Sequence, residues 1–540
     1  MDTSTEIKQI DHLGLVAGVC DESGIVELIN EYVGKENRKV SVGHAVKAMI
    51  LNALGFTARA MYLTPMFFTH RPVDLLICEG ITAADLNESS LGTALDAIYE
   101  AGITELFFSV ASRIFARYGI PIQWGHLDST TFSLHGNYDP DEDDMDACPI
   151  EITRGFSKDN HPDLNQVIVQ IISANRSTLP IWIEVLSGNT SDQKSFAETI
   201  KQFQKQFDRN QMPTMVMDAA FYNKDSISSC TEVSWITRVP ETIKEVKTLY
   251  GKIDRSQFVD IDENYAVYPH TSSYGGVKQR WLLVCSEHAK KREIATLEKK
   301  IAKVEEKQEK AFMHLRNQSF FCEEDAREAG DKFADRLKYQ SYTPTVIRKA
   351  RHIRRGRPVK GAAPMHYEYY LTGELVRDEE AITVAKSPKG LFVIATNELD
   401  EKVLSNEQLL AVYKDQSVSV ERGFRFLKDP LFYAESLYLK SPKRIMALLM
   451  VMTLSLLIYS LAEKNLRQAL KDAGTHVWNQ KRKPWDNPTL RWVFQNFAGL
   501  AFFVVHTREG PEMTIQNVNE FHMRVIKSMG SIYEKIYFLS

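Results

Sequence analysis

The stretch from Pro121 to Val239 restricts the fold more than any other. It opens with Ile122-Gln-Trp-Gly-His-Leu-Asp128-Ser-Thr-Thr-Phe-Ser-Leu-His, a β-rich run carrying an acid inside it. Gln166–Ser173 and Ile181–Leu186 are two more β-rich runs, and Asn175-Arg-Ser-Thr between them reads as a hairpin turn. Ser191–Phe207 has the apolar spacing of an amphipathic helix. Thr214-Met-Val-Met-Asp218 is a buried strand ending on an acid, followed by a short helix and the strand Ser234–Val239. Three strands without intervening helices, then helical crossovers, predict a mixed sheet in an α/β layer. Asp128 lies on the first strand and Asp218 ends the fourth.

The rest of the chain is arranged around that layer. Residues 1–118 read as a helical domain, with apolar steps of three and four over Ile25–Val33, Ser41–Leu54 and Ala94–Ala116. Ser41 is placed to cap its helix. DNA binding, self-association and a structural cap are all open to such a domain. Residues 241–390 break the α/β pattern. Strands near Phe258–Val267 and Arg280–Cys285 lead to a charged helix, Glu287–Arg316, where Ile294, Leu297, Ile301 and Val304 form a heptad-like seam. Glu324–Tyr339 is a second helix suited to fold back as a hairpin. Arg348–Lys360 follows as a basic loop, with Arg351, Arg354 and Arg355 among seven basic residues in thirteen. The whole chain carries a net charge of −4, so any nucleic-acid affinity must come from such local patches. Phosphate binding and a solvated surface both fit the loop. The acidic run Asp139–Asp146 reads as a solvated loop, because it lacks the glycine turn of a calcium site.

Residues 391–475 return to the α/β pattern with the strand Leu391–Asn397. A helix then starts after Ser405-Asn406-Glu407, with Ser405 or Asn406 as its N-cap. On it Tyr413, Ser417, Glu421 and Lys428 recur at about helical spacing, while Phe424 and Leu427 dock it onto a core. Ile445–Ala462 is uncharged and just long enough to span a bilayer. As the chain's sole such segment, with charged sequence on both sides, it reads as a helix buried in a large core. In the tail, residues 476–540, Gln480–Phe494 is basic and aromatic; a DNA contact and a packed helix behind a Pro-containing loop fit equally. The six cysteines are scattered, with no C-x-x-C pair, and the polar N-terminus is no signal peptide; both suit a reducing cytoplasm.

Asp128, Asp218 and Glu421 form the candidate site. Three carboxylates at the edge of a mixed sheet can hold two hard divalent cations, which suits in-line phosphoryl displacement. The chain here resembles DDE transposases of prokaryotic insertion sequences, the IS-four-type branch with a Tyr-x2-Arg-x3-Glu-x6-Lys signature. The resemblance rests on Asp128 in His-Leu-Asp-Ser-Thr-Thr, Asp218 in Val-Met-Asp-Ala-Ala-Phe-Tyr, and Glu421 with Lys428 at the signature's spacing. Arg154-Gly-Phe-Ser-Lys158-Asp, Gly188-Asn-Thr-Ser-Asp192 and Pro488-Thr-Leu-Arg491-Trp-Val-Phe are similar to further stretches of that family. Counting back from Glu421, the signature's Tyr falls on Lys414, with Tyr413 one residue early, and its Arg falls on Ser417.

The resemblance implies an α/β fold: a ribonuclease H-like mixed sheet flanked by helices, in parts 119–240 and 391–475, interrupted by an α+β insertion. It implies metal-dependent cleavage and strand transfer on double-stranded DNA, at the element's terminal inverted repeats and in target DNA. Two Mg2+ ions, replaceable by Mn2+, would sit on Asp128, Asp218 and Glu421. Tyr413, Lys428 and Arg425 would touch DNA near the cut, and Arg351, Arg354 and Arg355 elsewhere. A homodimer in the DNA complex and a cytoplasmic, nucleoid-associated location, with no membrane partner, are implied too. A ribonuclease H-fold nuclease without strand transfer and a non-enzymatic DNA-binding or membrane protein are the alternatives.

Overall fold

The computed structural model describes residues 5–34, 38–57, 61–135, 138, 149–158, 161–208, 211–352, 363–429, 439–507 and 510–538. The chain divides into two compact units: Met1–Thr237 with Ser273–Gln279 and Thr396–Ser540, and Arg238–Ser272 with Arg280–Ala395.

The first unit starts with β1 (Thr5–Gln9), then α1 (Leu13–Ser23), α2 (Ile25–Val33), α3 (Val42–Leu54), α4 (Thr64–Phe68), α5 (Val73–Leu76), α6 (Glu88–Glu100) and α7 (Ile103–Arg117). Ser41 caps α3, its Oγ accepting the His44 N–H at 3.2 Å. The apolar spacing over Ala94–Ala116 is shared by two helices, because Gly102, at φ 88°, takes the backbone out of the helical region.

The sheet strands are β2 (Trp124–Leu134), β3 (Asn165–Ala174), β4 (Pro180–Ser187), β5 (Thr214–Met217) and β6 (Trp235–Val239), with α8 (Asp192–Gln204) and α9 (Lys224–Ser229) between the later ones. They lie in the order β4-β3-β2-β5-β6. β3 is antiparallel to β2 and β4, whereas β5 is parallel to β2 and β6. A three-strand meander, extended past its first strand by two parallel strands, is the ribonuclease H-like order. Asn175 closes the β3–β4 hairpin at φ 54°, and its Oδ1 accepts the Gln123 and Trp124 N–H groups.

The second unit contains α10 (Lys244–Lys252), β7 (Val259–Asp260), β8 (Tyr265–Tyr274), β9 (Val277–Ser286), α11 (Glu287–Arg316), α12 (Glu323–Ala334), β10 (Gln340–Ser341), β11 (Thr345–Arg351), β12 (His366–Thr372), β13 (Val376–Arg377), α13 (Glu379–Lys386) and β14 (Leu391–Thr396). The strands expected near Phe258–Val267 and Arg280–Cys285 are β7, β8 and β9. The α11 seam is real, but Leu297 and Ile301 bury against Ile382 of α13. α12 packs on the β11–β12 ribbon and meets α11 through the stacked rings of Phe312 and Phe333, 5.6 Å apart. Arg348 and Arg351 belong to β11 rather than to a loop. Arg354 and Arg355, like the acidic run 139–146, lie outside the described residues.

The chain then re-enters the first unit with α14 (Asn406–Leu427), capped by Ser405 and Gln408 in a capping box. α15 (Pro442–Asp472) is apolar and long enough to cross a membrane, yet 89% of its most apolar window is buried. It packs against α1, α3, α6 and α7, so the helices of residues 1–118 enclose it. After it come β15 (Val477–Trp478), β16 (Pro484–Trp485), α16 (Leu490–Asn496), β17 (Ala501–Thr507), β18 (Gly510–Gln516), α17 (Glu520–Met529) and α18 (Ser531–Phe538). α16 takes the packed-helix reading of the tail, with Leu490, Val493 and Phe494 buried. β1 pairs with β17, and Tyr537 of α18 donates its hydroxyl to the Asp11 carbonyl at 2.7 Å.

Candidate active site

Strand register brings two carboxylates together. Parallel pairing sets His126 of β2 beside Val216 of β5; continued by two residues, it sets Asp128 beside Asp218. β5 stops at Met217, while β2 runs on to Leu134. The pair therefore stands where that edge of β2 opens. Asp218 caps the turn Ala219–Phe221, accepting the Ala220 N–H at 2.9 Å, and Thr237 Oγ1 donates to its carbonyl at 2.6 Å. Asp128 Oδ1 accepts the Ser129 N–H at 2.7 Å.

A cation and a third carboxylate share this notch. Lys158 Nζ lies 3.0 Å from Asp192 Oδ2 and 3.8 Å from Asp128 Oδ1. It also donates to the Ser129 carbonyl at 2.8 Å and to Ser129 Oγ at 2.7 Å. Ser129 Oγ in turn donates to Asp192 Oδ1 at 2.6 Å. The Lys158 backbone N–H reaches Thr131 Oγ1 at 3.3 Å. The loops bearing Lys158 and Asp192 cross at two glycines: a Cβ on Gly155 would meet the Gly188 carbonyl at 2.1 Å, and one on Gly188 the Gln166 carbonyl at 2.1 Å. Gln166 Nε2 ties the crossing by donating to the Gly188 and Phe156 carbonyls.

The electrostatics follow from this crowding. Burial, the main cause, pushes the Asp128 carboxyl up to about 7, and repulsion from Asp218 and Asp192 adds to it. Lys158 and the Ser129 N–H pull the other way. Asp218 is raised as well, by burial first and by Asp192. His126, buried two residues before Asp128, is held down at about 4 by burial; neither of its ring nitrogens has a partner among the described residues.

The α14 helix runs alongside β2. Gln416 Nε2 lies 3.4 Å from the Leu127 carbonyl, and Lys428 Nζ sits 5.9 Å from the centre of the Phe132 ring. Glu421 falls between those levels, exposed on the helix, and is not among the charges that chiefly shift Asp128 or Asp218. Among the described residues no three or more His, Cys, Asp or Glu stand gathered to hold a metal ion.

Residues 125–458, more than half of the chain, match the family model described as Transposase DDE domain. The chain belongs to the DDE transposase family. Residues 5–112 match a second model, Domain of unknown function (DUF4277). No curated protein matches the chain. Among solved structures it is similar to the piggyBac transposase synaptic complex with hairpin DNA, determined by cryo-EM, at 9% identity and a TM-score of 0.36, covering 92% of this chain and 82% of that one.

The remaining expected contact residues of this transposase are dispersed. Tyr413 is half-buried and Arg425 exposed on α14. Arg351, in the second unit, is paired: its Nε donates to Glu368 at 2.7 Å and its Nη2 to the Tyr370 hydroxyl at 3.1 Å. Arg422 is engaged by the buried Glu463, which also holds Arg467 and the Leu490 N–H. Arg491 binds Asp429. Lys158 and Asp192 are the site residues that composition and spacing did not single out. Their signal was the family resemblance of the two stretches that carry them, Arg154-Gly-Phe-Ser-Lys158-Asp and Gly188-Asn-Thr-Ser-Asp192.

The donor set suits a divalent cation. Asp128 and Asp218 are hard oxygen donors, and their raised carboxyls leave a demand for positive charge that the Lys158 ammonium meets only in part.

Proposed function

We propose that this transposase performs metal-dependent cleavage and strand transfer at the ends of its own insertion sequence, within the branch carrying the Tyr-Arg-Glu-Lys signature. The observation that carries this reading is the β2–β5 register, which aligns Asp128 with Asp218 inside a sequence that matches the DDE family.

In this reading Asp128 and Asp218, joined by Glu421 from α14, hold Mg2+, with Mn2+ as a substitute. Held there, the metal would supply activation of the attacking oxygen and stabilisation of the leaving oxygen of an in-line displacement. The protein supplies position and field. β2 and the Ala219–Phe221 turn fix the two aspartates, and contacts of Gln416 and Lys428 support the seating of α14 along β2, from which Glu421 would join them. Lys428 and Arg425 hold phosphates near the cut, and Tyr413 contacts the DNA from more than three turns earlier on the same helix. Arg351, with Arg354 and Arg355, contributes charge that grips the DNA backbone at a distance, and pairing of two element ends calls for a dimer. Such a protein acts inside the cell, on double-stranded DNA.

Oligonucleotides ending in a free 3′-hydroxyl at the element terminus, mixed with target plasmid, test the strand-transfer step. Covalently joined product is expected. Hydrolysis of end substrates without joined product would instead assign the chain to the ribonuclease H-fold nucleases.

A further inference from the structure

Lys158 is held more tightly than a surface lysine needs to be. Its backbone N–H is fixed by Thr131, its ammonium by the Ser129 carbonyl and hydroxyl, and its charge by Asp192, with Asp128 slightly farther away. Thr131 and Ser129 alternate along β2, so both point to one face of the strand. The Gly155–Gly188 crossing leaves no space for a Cβ on either strand of chain, which fixes where Lys158 and Asp192 come to lie. A third of the Lys158 side chain (33%) is nonetheless exposed, which leaves it a path out of the notch. A lysine ammonium is a compact point charge on a flexible stem, suited to moving between anionic partners.

The geometry points to Lys158 as the chain's own cation in the carboxylate notch: it offsets part of the charge of Asp128 and Asp192 while no divalent ion is bound and yields its place when one arrives, and Asp192 is a further carboxylate of that site. This inference rests on the metal-dependent reading above. It makes metal binding an exchange of one positive charge for another, so that the acids are never left together without a counter-charge. Bringing like charges together without one is the alternative that burial makes expensive.

Mn2+ binding to the full-length protein, followed by titration calorimetry and by the electron spin resonance of free Mn2+, tests it without any DNA. Lys158→Met, which removes the competing charge, is expected to bind Mn2+ roughly tenfold more tightly than the wild type. Lys158→Arg keeps the charge and should stay near the wild-type affinity, and Asp192→Asn should bind several-fold more weakly. Equal Mn2+ affinities in the wild type and Lys158→Met, or equal tightening in Lys158→Arg, would overturn the inference while leaving the metal site itself standing. A wild type that binds no Mn2+ would remove the metal-dependent reading and the inference with it. Melting temperatures give a second readout: the rise on adding Mn2+ should be larger for Lys158→Met than for the wild type, and an equal rise counts against Lys158 as the resident cation.

Discussion

At the scale of single residues, Asp128 and Asp218 stand side by side at the open edge of β2, while Glu421 is exposed on α14. Asp128 and Asp218 were legible because each ends or interrupts an apolar strand, where an acid has no packing reason to be. Glu421 was legible only through its signature spacing, and it is exposed on α14. In the ligand role proposed for it, Glu421→Gln is expected to lower Mg2+-dependent cleavage of end DNA by at least about 100-fold, with end binding nearly unchanged. Cleavage at the wild-type rate would strike Glu421 from the site. Lys158 and Asp192 could not be placed from spacing. Each is distant in sequence from Asp128, and their meeting depends on a crossing of two loops.

At the scale of elements, helix and strand periods identified the sheet, α8, α11 and α14, because each keeps its apolar period for several turns or alternations, whereas α15 showed as an unbroken uncharged run. Partners were harder to foresee. The α11 seam chose α13 over α12 because Ile382 offers the apolar surface that closes over Leu297 and Ile301. The Gly155–Gly188 crossing is an element with a sharp requirement. Gly188→Ala would put a Cβ 2.1 Å from the Gln166 carbonyl and 2.5 Å from that of Thr153. Destabilisation of about 1–3 kcal/mol is expected, from overpacking against backbone that cannot yield, together with a loss of cleavage as Lys158 and Asp192 shift. Urea unfolding and a cleavage assay on the same preparation check both. The second element to test is the Glu463 hub of α15, which joins α14, through Arg422, to the start of α16, through the Leu490 N–H. Glu463→Ala removes the carboxylate shared by Arg467, Arg422 and the Leu490 N–H and is expected to cost about 1–3 kcal/mol, since both arginines keep access to water. A urea midpoint equal to that of the wild type would show the hub to be dispensable.

At the scale of the whole molecule, the first unit binds the two ends of the chain together. β1 pairs with β17, and the helices of residues 1–118 close around α15. An isolated reading of residues 1–118 misses this, since the surface they bury belongs to a helix more than 300 residues later. His12 lies in this junction, its Nε2 donating to the Leu54 carbonyl at 2.8 Å and its ring stacked 4.1 Å from Phe494. Burial holds it down at about 4, below the usual 6.5. The unfolded chain therefore takes up a proton on His12 that the folded chain refuses. Stability should fall as the pH drops from about 6.5 towards 4, by up to about 3 kcal/mol. His12→Gln should flatten that part of the acid-unfolding curve, measured by tryptophan fluorescence. The same pH dependence in the variant would remove His12 as its source.

In the proposed function, Asp128 and Asp218 form one metal-dependent site for cutting DNA. Its most direct test is cleavage of a duplex carrying the element's end, by the wild type and by Asp128→Asn, in Mg2+ and in chelator. Cleavage by the wild type in Mg2+ alone, with none by Asp128→Asn despite intact end binding, is the predicted result. Cleavage that persists in chelator, or in Asp128→Asn, would contradict it.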